Sequence, residues 1–111
     1  MTNKYNARRV KEDGHTFDSA AEHRRYKELK LLLAAGQITD LRVHPRYNLH
    51  AENKAHQKNK IGSYVADFCY NAGANEQLLI EDVKGFRTPM YRWKKRHFEA
   101  EYDLKITEIS V

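Results

Sequence analysis

Apolar positions recur at helical spacing in the first third of the chain. Three side chains lying three or four residues apart form one apolar stripe: Tyr26, Leu29 and Leu33. Ser19 and Glu22 stand at the spacing of a capping box, which begins a helix, and Gly36 is a typical C-terminal stop. The pattern therefore predicts a helix over residues 19–35.

Apolar and polar positions then alternate, which is the pattern of half-buried strands. Residues 39–50 alternate around Pro45 and predict one bent strand, whereas residues 51–60 are polar, basic and non-periodic and predict an exposed loop. Residues 61–70 and 78–84 predict two further strands, which the turn-forming residues between them join into a hairpin.

The last third of the chain predicts one more helix and one more strand. Thr88 offers an N-cap and Pro89 a favourable first helical residue, so we expect a helix to about residue 102 and a strand over residues 104–111. The resulting order is helix, strand, strand, strand, helix, strand. This order predicts an α/β fold in which a mixed sheet is flanked by helices.

A chain of 111 residues supports a single hydrophobic core. We assign residues 15–111 to one domain and the polar, basic residues 1–14 to a mobile or loosely docked arm. The net charge of +5 favours a polyanionic partner such as nucleic acid. Because Cys69 is the only cysteine and no signal-like or long apolar segment is present, we expect a cytoplasmic protein without a membrane span.

Charged residues of the predicted hairpin form the strongest candidate site. Asp67 lies in an otherwise apolar strand, where a carboxylate must be paired or bind a cation to offset its desolvation. Asp82 and Lys84 are two residues apart and project to one face, whereas Glu81 and Val83 project to the other. Carboxylates suit a hard cation such as Mg²⁺, and a neighbouring lysine can orient or deprotonate water. A short Asp-x-Lys motif also occurs as a solvated pair at a strand end.

Two helix residues lie on stripes that otherwise face the interior. Glu22 shares the stripe of Tyr26 and Leu29, so its carboxylate either reaches the same site or only caps the helix. Lys94 shares the inward stripe of the second helix, where it either holds a phosphate or extends to the sheet edge with its stem buried. Further basic residues at this helix form either a solvated face or phosphate contacts: Arg87, Arg92, Lys95 and Arg96.

Other kinds of site have little support. The six histidines share no short helical spacing, so structural zinc is not expected, and we interpret His44, His50 and His56 as surface residues. The sequence contains no glycine-rich phosphate loop and no Gly-x-Ser-x-Gly motif. We therefore expect no small organic cofactor.

Five segments, taken in order, resemble a known family. They are Ser19-Ala-Ala-Glu22, Lys30-Leu-Leu-Leu-Ala-Ala-Gly36-Gln-Ile, Tyr64-Val-Ala-Asp67-Phe, Glu81-Asp-Val-Lys84-Gly85 and Thr88-Pro-Met-Tyr91-Arg-Trp-Lys94. Together they resemble a family of small phage and prophage proteins of unknown function that is grouped with the PD-(D/E)xK nucleases, close to Holliday-junction resolvases and restriction-type endonucleases. The resemblance covers about residues 15–111.

The resemblance implies a restriction-endonuclease-like core with one or two Mg²⁺ or Mn²⁺ ions in each site. The metal ligands that it implies are Asp67, Asp82, Glu22 and the Val83 carbonyl. Lys84 would be the catalytic lysine, and Lys94 and Tyr91 would be accessory residues on the following helix. Two positions depart from the family's motif, because Ala66 replaces its proline and Asp82 replaces the usual glutamate. With this shorter side chain, Glu81 would contribute if the strand register differed.

The expected function is that of a metal-dependent DNA endonuclease of a phage or prophage in a bacterial host. It would hydrolyse phosphodiester bonds in duplex or branched DNA, including structures such as Holliday junctions. Since each chain would carry one site, cutting two strands predicts a two-fold homodimer. The main alternative is a non-catalytic basic DNA-binding module on the same scaffold, and a purely structural phage protein is a third hypothesis.

Overall fold

The computed structural model describes residues 9–111, which form two helices and eight strands. The helices are α1 (Ala20–Ala34) and α2 (Pro89–Tyr102). The strands are β1 (Val10–Glu12), β2 (His15–Phe17), β3 (Ile38–Val43), β4 (Arg46–Glu52), β5 (Lys58–Val65), β6 (Phe68–Ala72), β7 (Gln77–Lys84) and β8 (Ile106–Ser110). The predicted α/β fold with a mixed sheet and two helices is confirmed.

A four-stranded sheet forms the centre of the fold. Its order is β3-β6-β7-β8, in which the pairs β3–β6 and β6–β7 are antiparallel and the pair β7–β8 is parallel. A parallel pair requires a crossover connection, and α2 supplies it. The predicted hairpin corresponds to β6 and β7.

The two helices pack on opposite faces of this sheet. Tyr26 of α1 belongs to a buried cluster with Phe68, and Phe98 of α2 belongs to another with Cys69 and Ile80. Consecutive strand residues project to opposite faces of a sheet, so the cluster of Phe68 and the cluster of Cys69 lie on opposite sides of β6. We call them the α1-side cluster and the α2-side cluster. The central sheet is therefore covered by a helix on each face.

Both helices begin where the capping signals predict. The Ser19 hydroxyl accepts a hydrogen bond from the Glu22 N–H at 3.1 Å, and the Thr88 hydroxyl accepts one from the Tyr91 N–H at 3.0 Å. The predicted stripe of α1 is wrong at its last position, because Leu33 is 41% exposed. Its neighbour Leu32 packs against the α1-side cluster instead.

The predicted strand over residues 39–50 is two strands in different sheets. β3 belongs to the central sheet, whereas β4 pairs with β5 in a separate two-stranded sheet. His44 has a φ of 54°, which lies outside the β region of regular strands. Pro45 has no N–H to donate to a neighbouring strand. The chain therefore leaves the central sheet at these two residues.

The predicted strand over residues 61–70 is likewise interrupted, at Ala66 and Asp67, between β5 and β6. The predicted loop over residues 51–60 is also wrong in part, because β4 continues to Glu52 and β5 begins at Lys58. Cross-strand pairing stabilises these polar residues as strands although the sequence there has no periodicity.

The start of the described chain is docked on α1. β1 and β2 form a hairpin, and Asp13 in its turn accepts hydrogen bonds from Tyr26 Oη and Lys30 Nζ, each at 2.7 Å. Residues 10–14 of the predicted arm are thus docked on α1, while residues 1–8 lie outside the described residues. Neither described helix has the length and apolar character needed to span a bilayer.

Candidate active site at the edge of the central sheet

Asp67 occupies the connection where the chain passes from β5 into β6. Its backbone N–H donates to the Glu81 carbonyl at 3.2 Å, and its Oδ2 accepts from the Val83 N–H at 2.7 Å. The side chain is therefore held against β7 by a main-chain donor of Val83. Asp67 is at the end of the sheet, one residue before Phe68 pairs with Glu81.

Asp82 adjoins Asp67 and is almost completely buried, with 1% of its surface exposed. Its Oδ1 accepts from the Asp67 N–H at 3.0 Å, and its Oδ2 accepts from the Tyr64 hydroxyl. Alternation along β7 places Asp82 on the face of Ile80, which packs in the α2-side cluster. The two aspartates that the sequence singles out thus lie side by side.

Lys84 follows on the same face of β7 as Asp82. Its Nζ lies 4.2 Å from the centre of the Tyr91 ring of α2, a cation–π contact. The Lys84 charge lowers the pKa of both Asp67 and Asp82, although in each case stronger effects raise it. The amine is therefore close enough to act electrostatically on both carboxylates.

Glu22 approaches the site from α1. It is 6% exposed, and its Oε1 lies 2.7 Å from His44 Nε2. One donor atom each from Glu22, His44 and Asp67 lie within 4.8 Å of one another. The Ser19 hydroxyl supplies the helix cap, so the carboxylate of Glu22 is directed to this group and not to the cap alone.

The electrostatics of the two aspartates reflect their burial. Burial raises the pKa of Asp67 to about 6, and the negative charge of Glu22 adds to this effect. Burial likewise raises the pKa of Asp82 to about 6, although the hydrogen bond from Tyr64 lowers it. Within residues 9–111, neither carboxylate lies within 4.0 Å of a side-chain nitrogen of lysine, arginine or histidine. Folding thus places two ionisable carboxylates side by side without an ion-pair partner.

Glu81 is the contrasting case on the same strand. It is 2% exposed, and Arg25 of α1 donates two hydrogen bonds to it, at 2.8 and 2.6 Å, while the Tyr70 hydroxyl donates a third. A bidentate arginine satisfies a buried carboxylate well. Glu81 was expected to contribute to the metal site only if the register of its strand differed. In the observed register Glu81 lies on the α1 face of the sheet, away from Lys84.

The basic residues of α2 divide into engaged and exposed side chains. Arg87 Nε and the Tyr91 hydroxyl both donate to Glu108 of β8, at 3.0 and 2.8 Å. Lys95 is 27% exposed and pairs with Glu99 one helical turn away at 3.4 Å, so its charge is already engaged within the helix. Lys94 is half-buried, and the side chains left facing solvent are Arg92 and Arg96.

Two residues of the site escaped the sequence analysis. His44 was interpreted as a surface residue, yet its N–H donates to the Asp67 carbonyl at 2.9 Å and its ring contacts Glu22. The register explains why, since Val43 pairs with Phe68 and the next residue therefore lies beside Asp67. Tyr64, which holds Asp82, carried no signal beyond its place in an apolar strand.

The surface interpretation is also wrong for His50 and holds for His56. The Nδ1 of His50 lies 2.6 Å from Glu101 Oε2, and its backbone N–H donates to Oε1 of the same residue at 2.7 Å. These contacts attach β4 to α2. His56 is exposed.

The family described as Protein of unknown function (DUF1064) matches residues 2–110. Because this match spans nearly the whole chain, the chain belongs to that family. No curated protein and no solved structure matches the chain significantly.

Proposed function

We propose that this member of the DUF1064 family is a metal-dependent nuclease with a PD-(D/E)xK core, which hydrolyses phosphodiester bonds of DNA. The observation that carries the proposal is the side-by-side placement of Asp67 and Asp82 without an ion-pair partner, next to Lys84. Buried carboxylates normally have a cationic partner, as Glu81 has in Arg25. Ionisable groups with perturbed pKa values cluster at functional sites.

The order of elements supports the PD-(D/E)xK core. α1 precedes three antiparallel strands, β3, β6 and β7, and α2 then crosses over to the parallel strand β8. This is the expected order of helix, three strands, helix and strand. The β4–β5 sheet is an insertion between the first two strands of that core.

The donor atoms of the site fit a divalent cation. Ligands around one octahedral Mg²⁺ lie at most about 4.2 Å apart, so the group formed by Glu22, His44 and Asp67 within 4.8 Å would need only small side-chain movements. Carboxylate oxygens are the ligands that Mg²⁺ and Mn²⁺ prefer. Glu22 and Asp67 of this group would hold one or two ions, with His44 as a nitrogen donor, and the adjoining Asp82 and the Val83 carbonyl would complete the ligand set.

Each residue of the site has a distinct role in this proposal. A bound divalent cation would supply charge neutralisation at the scissile phosphate and acidify a water molecule. Lys84 would orient that water and take part in moving its proton. Asp82 fixes the Asp67 main chain through its hydrogen bond to the N–H, and Tyr64 holds Asp82 in place.

A cleavage assay tests this proposal. The protein would be incubated with duplex, four-way-junction and single-stranded DNA in Mn²⁺, in Mg²⁺ and in chelator. We expect cleavage only with metal, and a loss of about 10²-fold or more for Lys84→Ala, which is the usual contribution of a proton-transfer residue. Lys27→Ala, at an exposed position of α1, is the matched control and should cut normally.

Binding without cleavage on every substrate would instead favour the non-catalytic DNA-binding module.

A two-fold homodimer also belongs to the proposal, because one site per chain must act on two strands. Light scattering during size-exclusion chromatography would measure the mass of the particle, and a monomer with full double-strand activity would contradict the dimer.

A further inference from the structure

The β4–β5 hairpin, residues 46–65, is here called the ribbon, and its outer half extends into solvent. Residues 51–61 are all exposed, and β4 and β5 pair only with each other among the described strands. An isolated two-stranded hairpin is only marginally stable by itself. A long exposed ribbon that buries no apolar residues at its outer end is therefore not explained by the core of the domain.

The ribbon is basic. Its exposed basic side chains are Arg46, Lys54, Lys58 and Lys60, against one acidic residue, Glu52. The Glu52 carboxylate lies 3.5 Å from His56 Nδ1, and among the described residues it forms no ion pair with a lysine side chain. The lysine charges of the outer half are therefore directed to solvent, where they attract a polyanion.

The base of the ribbon is attached to the candidate active site. β4 begins two residues after His44, and β5 ends two residues before Asp67. Tyr64 of β5 is buried and donates its hydroxyl hydrogen bond to Asp82. A ligand held along the ribbon would therefore extend from its outer end toward the carboxylates at its base.

The dimensions of the ribbon fit a DNA groove. The last three pairs of the ladder are His50 with Lys60, Ala51 with Asn59 and Glu52 with Lys58. At about 3.4 Å per residue, these pairs and the turn beyond them extend about 10–15 Å. The major groove of B-form DNA is about 12 Å wide and 8.5 Å deep, and it admits a two-stranded ribbon. The major groove of A-form RNA is too narrow and deep for such access.

We propose that the ribbon enters the major groove of duplex DNA. The choice of DNA as the partner rests on the nuclease function proposed above. Lys54, Lys58 and Lys60 contact phosphates that flank the groove. These contacts position a neighbouring phosphodiester in front of Asp67 and Asp82.

Fluorescence anisotropy with a labelled 30-base-pair duplex tests the ribbon, in chelator and at about 0.1–0.3 M salt. The variant carries Lys54→Gln, Lys58→Gln and Lys60→Gln. Each lost phosphate contact removes about 0.9 from the slope of log affinity against log salt, so the slope should fall by about 2–3 and the affinity by about 10²-fold at 0.1 M. The matched control removes three exposed charges elsewhere, through Lys11→Gln, Lys27→Gln and Lys105→Gln, and should change the affinity less than about threefold.

Three results would overturn the inference: an unchanged slope in the ribbon variant, equal losses in both variants, or tighter binding of an RNA duplex of the same length. Circular dichroism would verify that both variants are folded. Because binding is measured without metal, its result is separate from cleavage. If the lysine substitutions weaken binding but the protein does not cut DNA in Mn²⁺, the nuclease proposal fails and the ribbon inference is supported. If the protein cuts DNA but the substitutions leave binding unchanged, the ribbon inference fails and the nuclease proposal is supported.

Discussion

Replacing Asp82 by asparagine should stabilise the protein at neutral pH when no metal is bound. Asp82 is 1% exposed, and burial raises its pKa from 3.8 to about 6. Each pKa unit corresponds to about 1.4 kcal/mol, so the ionised carboxylate costs about 3 kcal/mol of folding free energy. Asparagine has nearly the same shape without the charge. Its oxygen can still accept from the Asp67 N–H, and its amide can donate to the Tyr64 oxygen.

The gain should depend on pH in a defined direction. Well below pH 3.8, Asp82 is protonated in both the folded and the unfolded chain, so the charge penalty is absent. Between pH 3.8 and about pH 6, Asp82 loses its proton in the unfolded chain but keeps it in the folded protein. The free energy of unfolding therefore falls as the pH rises through this range. Above about pH 6 the full penalty remains. The stability difference between Asp82→Asn and the wild type should therefore be small at pH 4 and full at pH 8.

Urea unfolding followed by circular dichroism in chelator would measure this difference at pH 4, 6 and 8. Asp18→Asn is the matched control, because Asp18 is exposed and its replacement should change stability by less than about 0.5 kcal/mol. With Mn²⁺ present the difference should become smaller, since the wild type, which keeps both aspartates, gains more stability by binding the ion. A less stable Asp82→Asn protein at pH 8 in chelator, or a difference that does not change with pH, would refute the reasoning.

Three further predictions concern the neighbours of Asp82. Mn²⁺ should raise the melting temperature of the wild type at pH 7.5 and leave that of Asp67→Asn unchanged; an equal rise in both, measured by calorimetry, would exclude Asp67 as a ligand. His44→Ala should weaken Mn²⁺ binding, measured by titration calorimetry, because it removes the nitrogen donor next to Glu22; unchanged affinity would make His44 structural. Arg25→Ala should cost about 3–5 kcal/mol in urea unfolding, because it leaves a buried charge on Glu81 unpaired. The control is Arg24→Ala, because Arg24 is exposed, and a similar loss of stability in both variants would contradict the role of the buried Arg25–Glu81 pair.

Local signals in the sequence determined the helices and the side-chain directions within single strands. The caps at Ser19 and Thr88 act within three residues, so they are legible without tertiary structure. The period of two along a strand likewise places Asp82 and Lys84 on one face wherever the strand lies. For this reason the two helices and the shared face of Asp82 and Lys84 followed from the chain alone.

Only the tertiary structure decided which strands pair and where the chain leaves the sheet. Alternation continues unchanged through His44 and Ala66, so periodicity does not reveal that two sheets meet there. The contacts that complete the site also join distant parts of the chain, as in Glu22 with His44 and Arg25 with Glu81. Such pairs depend on register and on the packing of α1 against the sheet, which are long-range properties that no local pattern encodes.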